Sequence, residues 1–227
     1  MTAPQDIVFL LDVDNTLLDN DRIIEDLRAH LDSEFGAACA GHYWAHFEAL
    51  RSELGYADYL GALQRYRRDT EHGQDDDPRL LKMSSFLIDY PFVDRLYRGA
   101  LAVIERLNAF GRPVILSDGD VVFQPRKVQR SGLWDAVDGR VLIYIHMEQM
   151  LDAVQRRYSA RHYVMVDDKL RILSAMKKIM RDRLTTVFPR QGHYALDPAI
   201  VAACPPADLS LERIGDLLDV DILTFLP

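Results

Sequence analysis

An uninterrupted apolar run, Ile7 to Leu11, passes directly into Asp12-Val13-Asp14-Asn15-Thr16. Five consecutive apolar residues suit a strand and are too few for an ordinary helix. Because the run does not alternate with polar residues, such a strand is buried on both faces, as in the middle of a parallel sheet. In extended chain, Asp12 and Asp14 point to the same side, with Val13 opposite. Two carboxylates on one side of a buried strand end repel each other, and a hard divalent cation with oxygen ligands relieves that repulsion. Taken alone, the segment also reads as a strand closed by a polar turn, since Asp, Asn and Thr are common turn and cap residues.

The rest of the chain separates into two patterns. From residue 20 to 90 the apolar residues recur at helical spacing. Ile23, Ile24, Leu27, Leu31 and Phe35 precede Gly36; Tyr43, Trp44, Phe47, Leu50 and Leu54 precede Gly55; Tyr59, Leu60, Leu63 and Tyr66 follow. Pro78 can open a fourth helix containing Leu80, Leu81, Met83, Phe86 and Leu87. The aromatic residues of this segment, Tyr43, Trp44, Phe47, Tyr56, Tyr59 and Tyr66, serve as its core or line a pocket. Asp75-Asp76-Asp77 reads as a solvated loop, and His42, His46 and His72 as packing or surface residues.

From Pro91 onward, helices alternate with short apolar strands. A helix from Leu96 to Leu107 leads to a strand at Pro113–Leu116. Further strands are expected at Val141–Ile145, Tyr163–Val166 and Leu184–Phe188, with Leu209 on an edge strand and a last helix at Leu211–Leu218. This alternation predicts an α/β fold, a Rossmann-like parallel sheet formed by residues 1–19 and 91–227, with residues 20–90 inserted as a helical domain. Ligands of such sheets bind beyond the carboxyl ends of the strands. Four strand ends there carry polar groups: Asp12 and Asp14; Ser117, followed by Asp118 and Gly119; Asp167 and Asp168; and Arg190 and His193.

Taken together, these motifs resemble those of the haloacid dehalogenase-like hydrolase superfamily over nearly the whole chain. Asp12-Val13-Asp14-Asn15-Thr16 is similar to its first motif, Ser117 to its second and Asp167-Asp168 to its acidic fourth. The resemblance implies a helical cap at residues 20–90 and Mg2+ held by Asp12, the Asp14 backbone carbonyl and one or both of Asp167 and Asp168. It implies a Mg2+-dependent phosphatase acting on a small phosphorylated metabolite. Asp12 is the implied nucleophile, forming an aspartyl-phosphate, and Asp14 the general acid and base. Dehalogenases of the family lack an acid at the Asp14 position, so its presence points to phosphoryl transfer. Ser117 and a lysine are the implied ligands of the phosphoryl oxygens. Lys127 is the first choice for that lysine. Lys169 is an alternative expected to point outward, and His146 stands where many relatives carry the lysine. Asn15, Thr16, Asp118, Gly119, Arg190 and His193 are candidate substrate contacts; for Arg190 and His193, loop packing and helix capping compete with that role. Two other readings stay open: a catalytically weak binding protein, or a phosphotransferase or phosphomutase on the same core. A phosphonate hydrolase would need a cap lysine, and Lys82 is the only lysine between residues 20 and 90.

The formal net charge of -8 argues against a nucleic-acid surface. No apolar stretch approaches the length of a membrane span. Two distant cysteines, Cys39 and Cys204, imply no disulfide framework, and Met1 to Asp6 lacks the pattern of a secretory signal. Cytoplasm is the expected location.

Overall fold

A computed structural model of the chain describes residues 5–69 and 79–225. The expected start of the fourth helix at Pro78, the acidic run Asp75–Asp77 and His72 lie outside the described residues.

The apolar run becomes β1 (Gln5–Leu11), at the centre of a six-stranded sheet. The other strands are β2 (Arg112–Asp118), β3 (Val141–Tyr144), β4 (Ala160–Val166), β5 (Leu184–Pro189) and β6 (Leu209–Leu211). Their order is β3-β2-β1-β4-β5-β6, and every pairing is parallel. Residues 8 to 11 are wholly buried. Ile7, Phe9 and Leu11 pack into the core on one face of the sheet, and Val8 and Leu10 into the core on the other. That is why the run shows no polar alternation. Each such side chain contributes about 1.5–3 kcal/mol by leaving water.

Four helices lie between β1 and β2: α1 (Asn20–Phe35), α2 (Ala37–Leu54), α3 (Tyr59–Arg68) and α4 (Arg79–Asp89). They supply Leu27, Leu31, Tyr43, Phe47, Tyr59 and Met83 to the same apolar cluster as Phe9 and Leu11. Asp19 caps α1 by accepting the Arg22 N–H, and Asp58 caps α3 by accepting the Gly61 N–H.

After α4 the chain departs from the expected helix at Leu96. Tyr97 donates its N–H to the Leu17 carbonyl, and Leu96 bridges Leu18 in antiparallel fashion. Gly99, at φ 88°, then turns the chain into α5 (Ala100–Asn108). The apolar Leu96 is therefore a return contact to the first loop. The remaining helices are α6 (Phe123–Arg130), α7 (Leu133–Ala136), α8 (Leu151–Arg157), α9 (Leu170–Met180), α10 (Gly192–Leu196) and α11 (Pro198–Ala202). Leu211 ends β6, and the expected last helix is a short 3-10 segment, Ile214–Leu218. Among the described residues no helix is long and apolar enough to cross a membrane.

Candidate active site

The loop after β1 is built around the Val13 carbonyl, which accepts the N–H groups of Thr16, Leu17 and Leu18. Asn15 adopts φ 61°, a left-handed conformation that Asn tolerates better than most residues. Its side-chain oxygen accepts the N–H groups of Asn20 and Asp21, so the motif also caps the start of α1. A Cβ on Gly192, at φ 70°, would strike the Asn15 side chain. The buried Gln191 donates to the Thr16 carbonyl at 3.1 Å and accepts the Ile214 N–H, tying the loop to the β5 end. Gln191 carries no sequence signal of its own; only its place after the fifth strand pointed to this edge.

Asp12 is 2% exposed. Its two carboxylate oxygens accept hydrogen bonds from Ser117 Oγ at 3.0 Å and Thr16 Oγ1 at 3.2 Å. Gln124 donates to Ser117 Oγ in turn, and Thr16 Oγ1 accepts the Asp168 N–H. Asp12, Asp167 and Asp168 form a buried trio in which one carboxylate oxygen from each lies within 4.8 Å of the other two. One oxygen of Asp167 and both of Asp168 have no hydrogen-bond partner.

Burial is the main cause that pushes the Asp12 carboxyl up to about 6 and Asp168 up to about 8, against the pull of Lys169. Asp167 is pushed well above the usual carboxylate range, by burial first and by Asp12 second. Bare, desolvated carboxylates at this spacing are the donor set of a hard cation. Asp14 stands apart from the trio: its side chain is 25% exposed and its carboxylate meets Lys127 Nζ at 2.7 Å.

The two lysines occupy different places. Lys127, on α6, is 1% exposed and donates to Asp14 and to Asn20 Oδ1. Lys169, before α9, does not point outward. Its Nζ lies 3.9 Å from Asp168 Oδ1 and 5.5 Å from the centre of the Tyr194 ring. Burial works against its charged form, but Asp12, Asp168, Asp167 and Asp14 outweigh it and hold the ammonium protonated. Lys169 departs from the expected outward direction because it precedes the first helical residue and is extended. The His146 ring lies against Gly55, which ends α2.

Above these groups is a cavity of about 430 Å3 between the strand ends and the helical insertion. Asp14, Asn15, Asp118, Gly119, Lys127, Lys169 and His193 line it from below, and Trp44, Phe47, Tyr56 and Tyr59 from the insertion. Asp118 also anchors the segment after β3, accepting the Met147 N–H at 2.7 Å. His193 pairs with Asp21 at 2.6 Å, which locks its ring to the start of α1. Arg190 is not in the cavity wall: it is half exposed and pairs with Glu212, because its N–H joins the Leu211 carbonyl and turns the residue toward the β6 edge. Lys82 is 69% exposed beside Glu34 and also lies outside the cavity wall.

A parallel sheet with a carboxylate trio at its carboxyl edge and a helical insertion above it defines a hydrolase of one architectural class. The sequence profile of the haloacid dehalogenase-like hydrolases matches residues 8–179, and the chain belongs to that family. A structure from Burkholderia xenovorans LB400, described as a haloacid dehalogenase-like hydrolase, shares 66% identity. It covers 99% of this chain and 100% of its own, with a TM-score of 0.91. Two more distant structures share the fold alone. L-2-haloacid dehalogenase from Xanthobacter autotrophicus has 17% identity, covers 92% of this chain and 96% of its own, and gives a TM-score of 0.58. YfnB from Bacillus subtilis, described as a HAD-hydrolase and solved bound to magnesium, has 16% identity, covers 94% and 97%, and gives 0.59. No curated protein matches the chain in sequence.

Proposed function

We propose that this hydrolase is a Mg2+-dependent phosphatase of small phosphorylated metabolites, with the helices of residues 20–90 as its cap. The observation that carries the reading is Asp14. A second carboxylate reaches the cavity beside Asp12, outside the trio, and is held at 2.7 Å by a buried ammonium. Displacement of halide from carbon needs no proton donor, whereas an alkoxide leaving group does.

Asp12 attacks phosphorus, and its second oxygen stays fixed by Thr16 or Ser117 during the attack. Asp14 enters the step protonated, with Lys127 donating to its other oxygen; it hands its proton to the departing alcohol and, now a carboxylate, takes one from the water that cleaves the aspartyl-phosphate. Lys127 orients Asp14 and, with Ser117 and Lys169, bears on the phosphoryl oxygens. Asp12, Asp167 and Asp168 would hold Mg2+, which supplies positive charge between anionic nucleophile and anionic phosphate. Two lysines at the cavity, Lys127 and Lys169, also weigh against a catalytically weak binding protein, a reading favoured by the absence of a lysine at the His146 position.

The test is release of p-nitrophenol from p-nitrophenyl phosphate with and without Mg2+, beside chloride release from 2-chloropropionate. Metal-dependent phosphate hydrolysis without halide release is expected. Loss of halide, or no hydrolysis above the level of Asp12→Asn, would overturn the phosphatase reading.

A further inference from the structure

We propose that the substrate carries a second anionic group, a carboxylate or a phosphate, on the leaving-alcohol side, and that Arg28 binds it at the far end of the cavity. The proposal rests on the phosphatase reading and adds the chemistry of the leaving group to it.

Most cations in the cavity wall are already paired. Lys127 is bound to Asp14, Lys169 to the carboxylate trio, and Arg171 to Glu148 at 2.9 Å. Arg51 is 3.8 Å from Glu48 and donates to Tyr194 Oη at 2.7 Å. Arg28 also lines the cavity, yet among the described residues it forms no hydrogen bond and no ion pair. Its guanidinium lies 4.0 Å from the centre of the Trp44 ring. Stacking holds the planar group in place and leaves its N–H edge open, so little freedom is lost when a carboxylate or phosphate binds it through two hydrogen bonds. Because the guanidinium covers one Trp44 face, that face offers a ligand a cation in place of an aromatic surface.

The spacing sets the size of the ligand. Asn20, Ile24 and Arg28 form one stripe of α1 at intervals of four and all three line the cavity. Asn20 shares Lys127 with Asp14, which places it at the reactive end. Arg28 is two steps farther along, on the order of 12 Å of helix axis. A leaving group of several bonds is needed to join a phosphoryl group at Asp12 to Arg28.

The experiment compares phenyl phosphate, 4-carboxyphenyl phosphate and 1,4-phenylene bisphosphate. Affinity for Asp12→Asn protein, measured by titration calorimetry, is read independently of turnover. The esters with a second anion should bind about tenfold or more tighter than phenyl phosphate, the size of a charged hydrogen bond. Arg28→Ala in the same background should reduce that ratio toward one, and Arg28→Lys should keep part of it. Preference for the carboxylate or for the bisphosphate identifies the source of the anion. In active protein the same ratio should appear in KM more than in kcat. Equal binding of all three esters, or an Arg28→Ala loss equal for all three, would overturn the proposal. Should no ester be hydrolysed by active protein, the phosphatase reading falls, while the binding ratios still decide the role of Arg28.

Discussion

The floor and the roof of the cavity are built on opposite principles. At the floor, Asp12, Asp167 and Asp168 are buried together, and burial first of all keeps the three carboxyls from ionising freely. At the roof, Arg51 and Glu48 are exposed and adjustable, and Arg28, also exposed, is held by its stacking on Trp44. The floor carries a strained charge arrangement that bound protons or a metal cation would relieve, and it is suited to chemistry. The roof carries weak, screened contacts that can vary with the ligand.

The largest effect should come from Asp12→Asn. Activity should fall on the order of 10^4-fold or more, since the nucleophile is lost. The metal-free protein should melt no lower than wild type, because neutralising one member of a repelling trio outweighs the one hydrogen bond lost when an NH2 replaces an oxygen that accepted from Ser117 or Thr16. A clear loss in Tm would show that the floor is not strained in this way. Calorimetry and single-turnover assays check the two halves of the expectation.

The two lysines should then separate. Lys127→Met removes the buried partner of Asp14, and kcat should drop about 100-fold or more, most for poor leaving groups. Lys169→Met removes a cation next to the trio. Mg2+ should bind more tightly, because a nearby positive charge repels it, while KM for the phosphoryl substrate rises. The reverse pattern would exchange their roles; Mg2+ titrations and leaving-group series distinguish the outcomes.

Metal and pH come next. Unfolded, these carboxyls ionise near 3.8; folded without metal, Asp12 keeps its proton to about 6 and Asp168 to about 8. The folded state binds more protons, so their contribution to stability is present below about pH 4 and is lost as pH rises toward about 8. Mg2+ replaces those protons, so it should raise Tm more at about pH 8 than at about pH 5. An equal rise at both values would show that the metal does not displace protons from the trio.

The smallest effect should be at the roof. Tyr194→Phe removes the hydroxyl that Arg51 bonds at 2.7 Å, and stability should change by less than about 0.5 kcal/mol because the contact is exposed. A larger loss would mean that floor and roof are coupled more tightly than their exposure implies.

Much of this molecule was legible before folding. The unalternating run at Ile7–Leu11 is buried on both faces, and Ser117 and Asp167-Asp168 stand at the ends of strands flanking it. Helical spacing marked the stretches that became α1 to α4. What misled were residues just outside regular elements: Leu96, used as a bridge to Leu18, and Lys169 and Arg190, whose directions follow from local backbone and a neighbouring strand.

The sequence by itself determined the strand order of chemistry: which residue types stand at which strand ends, since periodicity and burial act over a few neighbouring residues. Only the tertiary structure decided which charge faces which. Lys127 meets Asp14 across 113 residues of chain, and Lys169 turns in toward the trio. Such pairings depend on how separate elements pack, because the ammonium's position is set by helix placement and not by its distance along the chain.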